Sequence, residues 1–234
     1  MGSDLSGTGW GLTWDFIIVH ESGHEWFGNN ISMKDVADMW IHEGFTNYSE
    51  NLFVECLWGK QAGAEYVIGT RDRIQNNRPI IGTYGVNNEG SGDMYYKGGN
   101  LLHMIRNIID DDNRWRNILR GLNRSFYHQT VTTAKVEQFI SERAGIDFSK
   151  VFDQYLRHAG IPTLQYYIEE NQVFYRWQAD VDTFNMPVEV KLDPEFYSRI
   201  RPSTNQWRSS PYLAKSDTLD VHNDFYLHLE KVKK

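Results

Sequence analysis

The chain has 234 residues, 40% of them hydrophobic and 24% charged, with a formal net charge of −7. This composition supplies a packed core, while no apolar run reaches the ~20 residues of a membrane-spanning helix. Basic residues are scattered along an acidic chain, which excludes a nucleic-acid-binding stripe, and a lone cysteine, Cys56, excludes an internal disulfide.

The N-terminus, from Met1-Gly2-Ser3-Asp4 to Gly9, has neither a basic nor an apolar leader region, so no signal peptide is expected and the compartment stays open. The first predicted helix runs from Trp14 to Phe27, with Thr13 as N-cap and Gly28-Asn29-Asn30 as stop. The apolar stretches Phe16-Ile17-Ile18-Val19 and Trp26-Phe27 predict that it is buried. It carries His20-Glu21-Ser22-Gly23-His24. At 3.6 residues per turn, His20 and His24 lie about 40° apart on one face, so both imidazoles can reach one tetrahedral ion. Glu21 sits beside that ion, where a carboxylate can take a proton from water.

A second helix is predicted around Trp40-Ile41-His42-Glu43-Gly44-Phe45. Ile41, Phe45, Tyr48, Leu52 and Cys56 recur at helical spacing as one core stripe. Glu43 projects about 160° from Ile41 and is free to face the first helix. By itself such a residue also reads as a solvated helix carboxylate.

Further helices are predicted over Gln61 to Gln75, Lys97 to Ile109, Asn113 to Tyr127, from a cap at Thr133 to a stop near Gly145, and over Phe148 to His158. The Gly- and Asn-rich stretch Asn76 to Asp93 is the one long irregular loop, either a cleft rim before Tyr95 or a surface excursion. Tyr95-Tyr96 ahead of a helix reads by itself as packing, and Lys97-Gly98 as helix-start geometry. His103 lies in an amphipathic helix and reads as a core or surface histidine; Asp110-Asp111-Asp112 reads as a solvated turn without a calcium-loop pattern. His128, His158, His222 and His228 have no partner pattern. After Pro162 the period changes to two: Leu164, Tyr166 and Ile168 alternate, Glu170-Asn171 turns, and Val173, Tyr175 and Trp177 alternate back as a hairpin. Val188 to Leu192 and Asp224 to Leu229 are further predicted strands.

His20-Glu21-x-x-His24, eighteen residues, then Glu43, with Trp40-x-x-Glu43-Gly44-Phe45 around it, resembles the M1 family of zinc aminopeptidases, the gluzincin group. The resemblance implies a single zinc held by His20, His24 and Glu43, with Glu21 as general base. The metzincin pattern fails, since it needs Gly and His where Phe27 and Asn30 stand. His42 replaces the asparagine usual before the glutamate ligand and is read as a group beside the ligands that orients them. Tyr95-Tyr96-Lys97-Gly98 resembles the family's Tyr-x-Lys-Gly stretch, which makes Tyr95 the donor to a developing oxyanion.

The fold implied is the helical half of a thermolysin-like zincin catalytic domain, residues 1–160, followed by a small Ig-like β-sandwich, residues 161–234. The family's Gly-x-Met-Glu-Asn motif does not occur in this sequence, so the chain is expected to be a C-terminal part of a larger peptidase. The expected activity is zinc-dependent removal of N-terminal residues from peptides. Alternatives are a zinc-binding but inactive or interaction module, and hydrolysis of a non-peptide substrate at the same metal. Peptides are the expected partners; oligomeric state and side-chain preference are not legible.

Overall fold

The computed structural model describes residues 5–11 and 13–233; the Met1 to Asp4 part of the terminus read above lies outside the described residues. Helices dominate the first two thirds of the chain, with two short strands among them, and strands form the remainder.

Helix α1 spans Phe16–Gly23 and is shorter than the predicted one. Asp15, not Thr13, caps it, its Oδ1 accepting from the Ile18 N–H at 3.4 Å, while the Thr13 hydroxyl donates to the Trp10 carbonyl at 2.6 Å. An acceptor at Asp15 satisfies amides that would otherwise be unbonded, so the helix starts there. Past Gly23 the chain tightens into turns, with Trp26 and Phe27 both donating to the Gly23 carbonyl at 3.0 and 3.2 Å. The expected burial of the Phe16 to Val19 run does not hold: Ile18 is 64% exposed, and within α1 only His20 and Gly23 are buried. The reason is one-sided packing. Gly23 lets α1 approach the next helix so closely that a Cβ there would meet Thr46 Cγ2 at 3.0 Å, and the opposite face has no partner among the described residues.

Strand β1 (Ile31–Met33) leads to α2 (Trp40–Trp58), which is the spine of the helical part. Trp40, Ile41, Phe45 and Tyr48 are buried as expected, and Phe45 stacks on Phe27 at 4.4 Å between centroids. Cys56 leaves the predicted stripe and is exposed. In this last part of α2 the core-facing residue is Val54, which packs with Leu5, Ala62 and Tyr66 of the N-terminal segment and α3 (Lys60–Gly69). A 3-10 turn, Thr70–Arg73, replaces the rest of the predicted third helix.

Residues 76–93 form no regular helix, yet they are tied down. The amides of Ile80 and Ile81 both reach the Leu156 carbonyl at 3.0 Å, Ser91 N reaches the Pro79 carbonyl at 3.0 Å, and Ile80 is buried. Gly90 has φ +81°, and a Cβ there would lie 2.1 Å from the Ile80 carbonyl, so only glycine fits. A 3-10 turn, Gly92–Met94, delivers Tyr95 to the start of α4 (Tyr96–Ile109). Helices α2 and α4 cross on glycines: a Cβ at Gly98 would meet Gly44 Cα at 3.1 Å.

Helix α5 (Asp112–Ser125) is capped by Asp111, which accepts from Arg114 N at 2.9 Å, so the acidic run acts as a helix start. Strand β2 (Gln129–Val131) pairs in parallel with β1. Helix α6 (Thr133–Ala144) takes its cap from Thr132 rather than Thr133 and ends at Gly145, φ +68°. Helix α7 (Ser149–Phe152) continues into a π turn, Asp153–Arg157.

The predicted hairpin forms as β3 (Thr163–Glu169) and β4 (Gln172–Gln178), pairing Leu164 with Trp177 and Tyr166 with Tyr175. Strands β5 (Val188–Val190) and β6 (Ser198–Ile200) pair together; β7 (Arg208–Pro211) and β8 (His228–Lys231) flank the hairpin in the order β7-β4-β3-β8. The last strand therefore begins later than the predicted Asp224 start. Residues 223–226 are held elsewhere: Arg71 donates to the Asn223 and Asp224 carbonyls at 2.7 and 3.2 Å, and Tyr155 Oη donates to the Tyr226 carbonyl at 2.5 Å. One apolar core runs from Phe27 through Tyr155 and Leu156 to Trp177 and Phe225.

Candidate active site

His20 and His24 leave α1 on the side that faces α2, and Glu43 leaves the first turn of α2 towards them. His20 Nε2 lies 3.2 Å and His24 Nε2 3.6 Å from the same oxygen, Glu43 Oε2. The three donor atoms lie within 4.8 Å of one another, a spacing suited to one bound metal ion.

The other ring nitrogens are already occupied. His20 Nδ1 lies 2.7 Å from Glu50 Oε1, and His24 Nδ1 lies 3.0 Å from the Phe27 carbonyl and 3.2 Å from Thr46 Oγ1. A carbonyl and a carboxylate can only accept, so both Nδ1 atoms carry hydrogen, and both Nε2 atoms are directed at the Glu43 oxygen. Burial alone would push the His20 imidazole down, but the hydrogen bonds of Glu43 and Glu50 reverse this and raise its pKa to about 9. Without a metal, the His20 imidazole therefore holds a proton between the two carboxylates at neutral pH.

Glu50 is the residue that sequence reading missed. It is 1% exposed and accepts from His20, from Asn47 Nδ2 at 3.2 Å and from the Tyr66 hydroxyl. Its sequence signal was its position seven residues after Glu43, two helical turns along the same face. The structure gives His42 a different partner from the one expected. Its Nε2 accepts from the Met33 amide at 2.9 Å, and burial holds its pKa below the ordinary value, so it remains a neutral acceptor that fastens β1 to α2.

Glu21 is exposed on α1 and lines, with His20, His24, Glu43 and Tyr95, a cavity of about 460 Å³. The Tyr95 ring stacks on His20 with centroids 5.8 Å apart and planes 30° apart. Burial, then the charge and hydrogen bond of Glu43, push the Tyr95 phenol up to about 12, with Glu89 and Glu21 adding to the shift. It therefore stays protonated and able to donate at neutral pH.

Lys97 and Gly98 do more than start a helix. Lys97 is fully buried, and its Nζ donates to the carbonyls of Ala159 at 2.7 Å and His158 at 3.3 Å; burial lowers its pKa to about 8. Gly98 faces Gly44 of α2 where the two helices cross. His103 is buried but far from catalysis in role, bonding Asp224 at 2.8 Å.

Residues 12–155 match the sequence description of the peptidase family M1 domain. Over 162 residues, 63% of this chain, it is 27% identical to aminopeptidase N of Lactococcus lactis subsp. lactis. It is 28% identical over 159 residues to human glutamyl aminopeptidase. The chain spans about a fifth of the length of such relatives, 19% and 16% respectively. Among solved structures, aminopeptidase A of Legionella pneumophila superposes over 94% of this chain and 27% of its own, with a TM-score of 0.69 at 15% identity. An M1 zinc metallopeptidase from Deinococcus radiodurans covers 62% of this chain and 33% of its own, with a TM-score of 0.53 at 22% identity.

Proposed function

Because this chain belongs to peptidase family M1, we propose that it carries the zinc and proton-transfer machinery of an aminopeptidase that removes N-terminal residues from peptides. The observation that carries this reading is the convergence of both imidazole Nε2 atoms on Glu43 Oε2, in a cavity that Glu21 and Tyr95 also line. His20, His24 and Glu43 would hold one zinc ion. Two nitrogens and one carboxylate leave a coordination position for water or substrate, the pattern of catalytic rather than structural sites. When bound, zinc supplies Lewis acidity, polarising the scissile carbonyl and bringing the attacking water's pKa towards about 7.

The chain's own groups would do the rest. Glu21 takes the proton of the attacking water and then delivers it to the leaving amine, so one carboxylate acts as base and then as acid. The Tyr95 phenol donates a hydrogen bond to the oxyanion that forms at the former carbonyl, an interaction stronger in the transition state than in the ground state. Glu50, Thr46 and the Phe27 carbonyl hold both imidazoles in the tautomer that ligation needs. A thermolysin-like origin for residues 1–160 and an Ig-like β-sandwich for 161–234 complete the proposal, supported by the helix-then-strand order and the fold similarity to M1 enzymes.

The test is metal content by mass spectrometry together with turnover of aminoacyl amides by the same sample. One zinc per chain with turnover is expected. Zinc without turnover of any amide would favour the alternative of a zinc-binding but inactive fragment, and a folded chain that takes up no zinc would overturn the ligand set.

A further inference from the structure

A second, larger cavity of about 950 Å³ opens on the other side of the α1 C-terminus, between the Trp26-Phe27 turn and α5. It shares no lining residue with the cavity of His20 and Glu43. Its floor is apolar, formed by buried Phe27 and half-buried Leu119, and its rims carry two large exposed aromatics, Trp26 at 56% and Tyr127 at 62%. Arg120 and Arg124, four residues apart on α5 and so on one helix face, stand exposed along one wall.

The groove sets two guanidiniums, of Arg120 and Arg124, against one carboxylate, of Glu25. Carboxylates outnumber Lys and Arg by 31 to 24 in the sequence, and some arginines pair with them: Arg106 with Glu55 and Asp112, Arg157 with Glu137, and Arg199 with Glu189. No ion pair or hydrogen bond of Arg120 or Arg124 is present among the described residues. Glu25, on the opposite wall, has its Oε1 engaged by Asn29 Nδ2 at 3.3 Å. Two free guanidiniums against one occupied carboxylate leave the groove locally positive on an acidic chain.

We propose that this groove is a docking site for an acidic peptide segment bearing a bulky apolar side chain. The guanidiniums suit carboxylates, which they can bind through two parallel hydrogen bonds. The apolar floor between Trp26 and Tyr127 takes the anchor side chain, and exposed Trp, Tyr and Arg around a pocket are the residue types that dominate binding hot spots. A nucleic acid fits less well. Two arginines cannot track a phosphate backbone, and the net charge of −7 repels a polyanion before contact. The site stands apart from the catalytic proposal and would survive its failure.

The test is fluorescence anisotropy with a labelled nonapeptide that alternates Glu with Leu and Phe, and with its counterpart carrying Lys in place of Glu. Saturable binding of the acidic peptide, weakening as salt rises and absent for the basic one, is expected. Arg120→Glu with Arg124→Glu should weaken binding roughly tenfold or more. Trp26→Ala, on the opposite wall, should also weaken it while leaving the salt dependence in place. All three side chains are exposed, so unchanged circular-dichroism melting will show that the variants fold. Absence of binding to the wild-type chain, equal affinity for the basic peptide, or full affinity in the double arginine variant would each overturn the proposal. Tighter binding of a single-stranded oligonucleotide would overturn it in favour of nucleic acid. A concentration-dependent dimer in sedimentation, lost in the double variant, would overturn it in favour of a second copy of this chain.

Discussion

Glu50 Oε1 lies 2.7 Å from His20 Nδ1, and the same carboxylate accepts from Tyr66 and Asn47. Through this contact α3, which carries Tyr66, and α2, which carries Glu50, jointly fix an imidazole on α1. Removing the charge of Glu50 should loosen His20 without altering a proposed metal ligand. Glu50→Gln is expected to weaken zinc affinity by about 10–100-fold, measured by competition against a chelating dye. Wild-type affinity in that variant would mean that the contact does not tune the site.

The metal-free protein should show a pH signature at His20. Its pKa is raised from 6.5 to about 9 by Glu43 and Glu50 against the opposing effect of burial. A raised folded-state pKa contributes stability that is fully present below 6.5 and is lost as pH rises through about 9. The melting temperature of chelator-treated protein is therefore expected to fall across that window relative to a His20→Gln variant. A constant difference between the two proteins from pH 6 to 10 would contradict this linkage.

Glu21 touches no proposed ligand, so its loss should separate binding from chemistry. Glu21→Gln is expected to retain zinc at the wild-type level while hydrolysis of aminoacyl amides disappears. Unchanged turnover would remove Glu21 from the mechanism.

Tyr95 is expected to act on kcat. Tyr95→Phe keeps the ring beside His20 but deletes the donor, and should lower kcat by roughly 10²–10³ with KM little changed. Because the phenol's pKa is pushed up to about 12, the wild-type rate should show no loss from Tyr95 ionisation up to pH 10. A variant that changed KM alone would make Tyr95 a packing residue.

The crossing of α2 and α4 leaves no room at Gly99, where a Cβ would stand 2.2 Å from Asn47 Oδ1. Asn47 is the residue that donates to Glu50, so a steric change at Gly99 should reach the site. Gly99→Ala is expected to cost about 1–3 kcal/mol in chemical denaturation and to weaken zinc binding as well. A variant with wild-type stability would show that the Asn47 side chain can turn aside without penalty.

The sequence by itself determined the features that depend on a few residues close along the chain. The i, i+4 pair His20 and His24 must share a helix face, Glu43 opposes Ile41 on its helix, and the Leu164 to Trp177 alternation must make a hairpin, because backbone geometry alone imposes these periods. The resemblance carried Tyr95, and the structure brings it to the same cavity as the other four residues. Only the tertiary structure decided which faces are covered. It left Ile18 exposed, turned Cys56 out of the core stripe, and sent His42 to the Met33 amide instead of the ligands. It also brought Glu50 under His20, buried Lys97 against Ala159, and tied residues 223–226 to Arg71 and Tyr155, so that the last strand starts at His228. Each of these outcomes depends on a partner brought from another element or on the absence of one. Periodicity within a segment specifies the direction of a side chain, but what meets it there is set by packing between segments.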